Sequence, residues 1–170
     1  ALMAFYNIRI PRPLLANLVL AVETEELGIS AGLQDRVAQA YEEPVYMDFD
    51  KRFFEKQDFG AYEAFSADKL QHLYIAYRTD LSEGSEVFHN DIRSRFDSGD
   101  KVVVSAMKEF ADLTVRTKTL LDQGKVEEVG PLLDANFDLR GSIYQISAKN
   151  KEMVALARAI GASAKFTGSG

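Results

Sequence analysis

The chain has no cysteine, which excludes disulfide frameworks and thiolate metal sites. It has only two histidines. His72 and His89 are far apart and match no zinc-ligand spacing. It also lacks a long apolar run: stretches such as Leu18-Val-Leu-Ala-Val22 are too short to span a bilayer, and no signal peptide is visible. Positive charge is in deficit, with 20 Lys and Arg against 26 Asp and Glu and a net charge of −6. That balance argues against nucleic acid or an anionic membrane as the main partner. It leaves nucleotides open, because backbone dipoles and a metal can hold them locally. There is no internal repeat, low-complexity tract or disordered linker. A cytoplasmic protein is the expectation.

What is present is enough for one sizeable core: 170 residues, 46% of them hydrophobic. Residues 1–8 read as the end of a helix broken by Pro11 and Pro13, and Pro13 suits the first turn of the next helix. There Leu15, Leu18, Val19 and Val22 recur at helical spacing. Glu26 continues that stripe and Glu23 lies at its edge. Carboxylates beside a buried face need a partner or a metal unless the helix end is solvated. A short helix is expected over 34–41, and a strand over Val45–Phe49 from its β-branched and aromatic content. Residues 50–69 read as a further strand or hairpin under a loop. Leu73–Thr79 reads as the clearest strand, and Asp80–Ser85 as a loop.

The second half reads as helical. One helix is expected from Ser85 to Phe96. Another spans 101–122, with Val103, Met107, Phe110, Thr117 and Leu121 on one side. A third spans 126–140, with Pro131 near its first turn and Leu132, Asn136 and Arg140 on one face, either lining a cleft or exposed. A last helix spans 150–160 with Met153, Leu156, Ala157 and Ile160 inward, and Ala162–Phe166 then turns into a strand. The pattern is α+β, an antiparallel sheet covered by helices. The ends, Ala1-Leu-Met-Ala-Phe-Tyr6 without an N-cap and Thr167-Gly-Ser-Gly170 inside a turn, suggest part of a longer protein.

Chemistry concentrates between Glu23 and Tyr41. An acidic helix end passes through a loop holding Gly28 and Gly32 and re-enters a helix at Gln34-Asp35-Arg36. A glycine loop feeding a helix start aims N–H groups and a positive dipole end at one point. With Asp35, Arg36 and the acids upstream, this is the inventory of a phosphoryl-transfer site. The same residues also suit a plain helix junction, with Gly28 ending one helix and Asp35 in the first turn of the next.

Two segments resemble motifs of the GHMP kinase superfamily. Gly28-Ile-Ser-Ala-Gly-Leu-Gln-Asp-Arg36 is similar to the loop carrying the catalytic aspartate of its sugar kinases. Ala162-Ser-Ala-Lys-Phe-Thr-Gly-Ser-Gly170 is similar to the third family motif, a lysine-x-threonine-glycine-x-glycine turn. Ala31–Tyr41, Val45–Phe49 and Leu133–Arg140 resemble the sugar-1-kinase branch, most of all the plant-type glucuronokinases. There are departures. The family's ATP phosphate loop and first motif have no counterpart here, the third motif lacks its final glycines, and Glu42-Glu43-Pro44 stands where relatives carry a glycine pair.

The resemblance implies ATP and magnesium as cofactors and a sugar or uronic acid as substrate. D-glucuronate is the leading expectation; a heptose, fucose or galactose kinase and a non-catalytic sugar sensor are the alternatives. It implies residues 1–44 as the end of the N-terminal GHMP domain and 45–170 as the C-terminal domain, and a chain that is inactive without the remaining N-terminal part. Asp35 would be the catalytic carboxylate and Glu23 the magnesium ligand, although the helix-face count favours Glu26. Arg36, Arg140 and Thr167 would contact the substrate, with Arg140 a candidate fork for a uronate carboxylate. Gly168, Ser169 and Gly170 would lie at the phosphates. Lys165 would either add charge there or be a solvated residue.

Overall fold

A computed structural model describes residues 2–29, 31–77 and 85–167. Contacts divide the chain into two units, Ala1–Lys69 and Leu70–Gly170.

In the first unit, α1 (Leu2–Phe5) is a single turn. Helix α2 (Arg12–Ala21) starts with Pro13 in its first turn, where a missing N–H costs nothing. It runs into a π-helical turn, Val22–Glu26, closed by Leu27 N–H donating to Val22 O at 3.1 Å. Helix α3 (Leu33–Tyr41) packs on α2 around Ala16 and Val37, both fully buried. It ends at Glu42, which takes the left-handed conformation (φ 58°) usual for glycine. Arg12 donates to Glu43 at 2.9 Å and lies over the Tyr41 ring.

Strands β1 (Val45–Asp48) and β2 (Ala61–Ala64) form an antiparallel pair, Val45 opposite Ala64 and Asp48 opposite Ala61. Between them lies α4 (Lys51–Gln57), capped by the Asp50 carboxylate accepting from Arg52 N–H. The stretch 50–69 thus holds the expected further strand, β2, and a helix besides. Tyr62 meets Tyr41, Phe49 and Phe59 edge-on or tilted, so the aromatic richness of 41–62 is a packing cluster.

In the second unit, α5 (Ser85–Asp97), α6 (Lys101–Asp122), α7 (Gly130–Ile143) and α8 (Ala148–Ala159) follow in order. Asp100 caps α6 through Val102 and Val103 N–H, and Ser147 caps α8 through Asn150 N–H. One core cluster joins Ile92, Val103, Ala106 and Ile143, with Met107, Phe110 and Leu139 against it. A second joins Phe137, Ile146 and Val154 to Tyr144, Ala164 and Phe166. Arg95 ties the loop after α5 together, donating to Asp100 at 2.9 Å and to Ile143 O at 2.9 Å. Among the described residues, no helix is long and apolar enough to cross a membrane.

The α+β pattern holds, with helices dominant and a small antiparallel sheet. Four expectations are corrected. Leu73–Tyr77 forms no ladder among the described residues, and Leu73, Tyr74, Ile75 and Tyr77 are exposed. Its β-type content specifies extended backbone but not a partner strand. Ala162–Phe166 has no regular secondary structure and is held by α7 rather than paired as a strand. In α2 the buried residue is Ala16, and Leu18 and Val22 face out. In α8 Val154 is buried while Leu156 and Ile160 are exposed. Arg78 and Thr79 of the expected strand and residues 80–84 of the expected loop lie outside the described residues.

Candidate active site

The π-helical turn decides where Glu23 sits. Its wider winding carries the chain to Gly28, whose left-handed φ of 64° suits glycine, and Ile29 N–H donates back to Glu23 O at 2.8 Å. Thr24 Oγ1 donates to Leu20 O at 2.9 Å within the same turn. Glu23 is thereby half-buried, whereas Glu26 is exposed. The helix-face count that favoured Glu26 assumed regular α-helical winding through this turn.

Across the loop, α3 starts at Gly32, an extended N-cap residue with no side chain to satisfy the first-turn amides. Asp35 stands in that first turn, with its side chain 74% exposed. Arg36 follows with only 15% of its side chain exposed and turns back toward α2. Its Nη2 is ion-paired with Glu23 Oε2, its Nη1 lies 3.3 Å from Asp35 Oδ2, and Nη1 donates to Gly32 O at 3.5 Å. One guanidinium thus braces two acids from different helices. Glu23 Oε2 is buried, and the Arg36 guanidinium is its partner.

The structure therefore brings together Glu23, Asp35 and Arg36. Among the described residues there is no cluster of three or more His, Asp or Glu that could cage a metal. Magnesium needs less: one or two carboxylates, with phosphates and waters completing its shell. Glu23, a half-buried carboxylate whose Oε2 faces Arg36, could supply one such ligand through its other oxygen.

In the second unit, Arg140 lies in the last turn of α7 with its guanidinium 5.1 Å from the Phe166 ring and 5.9 Å from the Tyr144 ring. Burial holds its pKa below the ordinary arginine value, with Tyr144 acting in the opposite sense. Leu132 is buried and Asn136 half-buried, so this face of α7 is turned inward. Lys165 is exposed as a residue, but its ammonium turns back to donate to Phe166 O at 2.6 Å. There desolvation, and then the Arg140 charge, lower its pKa. Thr167 is exposed. Gly168, Ser169 and Gly170 lie outside the described residues. The open groove between α6 and α7, lined by Lys101, Ser105, Glu109 and Ser142, holds none of these residues.

Sequence reasoning missed the network behind Phe166. Asp134 and Asp138, one turn apart on α7, both accept from Arg158 of α8 at 2.9 Å. The i, i+4 acid spacing was the available signal, but the matching arginine is twenty residues away.

No family model matches the chain, and no solved structure matches it. Among curated proteins it is 42% identical over 175 residues to "Probable glucuronokinase 2" of Arabidopsis thaliana, covering 99% of this chain and 47% of that protein. It is 40% identical over 174 residues to "Glucuronokinase 1" of the same plant, covering 99% of this chain and 48% of that protein. The chain spans about half the length of these curated relatives. The likeness takes in both the loop around Asp35 and the residues around Lys165, and the chain is similar to these glucuronokinases over nearly all its residues.

Proposed function

We propose that the whole protein is an ATP-dependent sugar-1-kinase that converts D-glucuronate to glucuronate 1-phosphate in the cytoplasm. The observation that carries this reading is the 40–42% identity, over 99% of the chain, to two proteins named glucuronokinase. The braced acids of the Glu23–Arg36 loop support it. Asp35, exposed at a helix start, takes or orients the proton of the anomeric hydroxyl as that oxygen attacks the γ-phosphorus and ADP leaves. Glu23 would hold magnesium together with phosphate oxygens and water; the ion supplies charge neutralisation at the phosphates. Arg36 fixes both acids and offers its remaining donors to a substrate anion. Arg140 would fork the uronate carboxylate. Thr167, Gly168, Ser169 and Gly170 would direct amides and hydroxyls at the phosphate. Residues 1–44 would close the N-terminal domain, with 45–170 forming the C-terminal one.

The test is ADP release by the full-length protein with magnesium-ATP over a panel of sugars, beside Asp35→Asn. Activity on glucuronate should fall by about 10²- to 10⁴-fold in kcat in the variant. Turnover of a different sugar alone would replace the substrate. Absence of turnover by a folded full-length protein would remove the kinase reading.

A further inference from the structure

The segment leading into the third motif is held at three successive points by α7 and α8. Ser163 sits against Gly130, its Oγ 2.7 Å from where a Cβ would stand, and hydrogen-bonds the Asp134 carboxylate. Ala164 N–H donates to Asp134 Oδ1 at 2.9 Å. Phe166 lies edge-on to Phe137 at 5.3 Å and beneath the Arg140 guanidinium. Asp134 is itself held. Arg158 Nε donates to its Oδ1 at 2.9 Å, Arg158 Nη2 donates to its backbone O at 3.1 Å, and Arg158 lies over the Phe137 ring. Burial alone would raise the Asp134 carboxyl, but hydrogen bonds from Ala164, Ser163 and Arg158 outweigh it and lower the pKa. These groups lie between half-buried and exposed, yet one carboxylate oxygen collects two charge-assisted or backbone donors from separate elements.

Backbone without helix or ladder hydrogen bonds has no register of its own. Asp134 supplies that register here, directly before Lys165 and Thr167. We propose that Asp134, backed by Arg158, is a positioning residue that fixes residues 163–166 and so sets where Lys165 and Thr167 stand toward the reacting phosphate. This rests on the sugar-kinase reading for its catalytic consequence, but the tether itself does not.

Three full-length proteins separate the possibilities: wild type, Asp134→Ala and Asp134→Asn. Asparagine keeps an oxygen for Ala164 N–H but loses the charge facing Arg158; alanine loses both. The proposal expects kcat to fall by about 10- to 100-fold in Asp134→Ala, since misaligning a reacting group by about 1 Å costs that much. Asp134→Asn should recover most of that activity while melting at a temperature close to Asp134→Ala. Amide exchange at Ala164 should speed up about tenfold in Asp134→Ala, as loss of a hydrogen bond to a charged acceptor implies. Unchanged Ala164 exchange would overturn the tether. Wild-type kcat in Asp134→Ala, or activity in the two variants that simply follows melting temperature, would overturn the positioning role. A wild-type protein without turnover would overturn the kinase reading instead, leaving the tether to stand or fall on the exchange result.

Discussion

At the residue scale, the arrangement around Arg36 has an energetic consequence. Its guanidinium is largely buried and faces Glu23, whose own side chain is 23% exposed. Removing one partner of such a pair leaves the other desolvated without compensation, which is worse than never having had the pair. Arg36→Met should therefore destabilise the protein by about 1–3 kcal/mol in urea unfolding, below the cost for a fully buried pair because water still reaches Glu23. Adding Glu23→Gln to that variant should restore part of the loss, since no uncompensated charge remains. An Arg36→Met protein as stable as wild type would mean the ion pair contributes nothing to the loop. Asp35, at 74% exposure, contributes little to this balance, in keeping with a carboxylate left open to a ligand.

At the element scale, legibility in the sequence followed how local the signal was. Pro13, Pro131 and Gly124 punctuate helices in ways that depend on their own backbone, and the helix at 101–122 was read to its observed ends. Facing is not local. Residues 14–22 are apolar on nearly every side, so periodicity alone does not select the buried face. Small Ala16, where α3 comes close, proved to be the contact. Strand identity is not local either, as Leu73–Tyr77 shows. The π-helical turn at Val22–Glu26 leaves no pattern in sequence, and it is what separates Glu23 from Glu26. The helix over Lys51–Gln57 was legible in principle through its Asp50 cap but was masked by the aromatic residues around it. The hairpin it interrupts depends on one close approach. A Cβ on Gly60 would stand 2.5 Å from the Asp48 backbone oxygen and 2.8 Å from the Tyr62 ring, and Gly60 N–H donates to Tyr62 OH at 3.1 Å. Because a backbone carbonyl cannot swing aside as a side chain does, Gly60→Ala should cost about 1–3 kcal/mol, read from denaturant midpoints. A neutral result would show that the β1–β2 connection repacks freely.

At the scale of the whole molecule, the chain comprises two units whose chain boundary falls at Lys69–Leu70. Immediately after it, Leu73, Tyr74, Ile75 and Tyr77 are exposed, at 58%, 86%, 80% and 80%, in backbone without helix or ladder hydrogen bonds. Proteases need an extended stretch of some residues to enter their cleft, so exposed irregular backbone is cut before helices of equal sequence suitability. Chymotrypsin prefers aromatic residues and leucine over β-branched ones, and this segment offers three: Leu73, Tyr74 and Tyr77. Comparable residues within α6 and α7, such as Phe110 and Phe137, are partly or fully buried, and a cut at the exposed Phe5 or Tyr6 would shed only a few residues. Brief digestion of the folded protein should therefore cut first after Leu73, Tyr74 or Tyr77, giving pieces that match the two units by mass spectrometry. If the earliest cuts fall instead inside α6 or α7, the helical unit opens more readily than the aromatic segment. Its two core clusters would then be too weak to hold Asp134 and Arg158 in register. Protection of this segment while the helices also resist would point to something covering it.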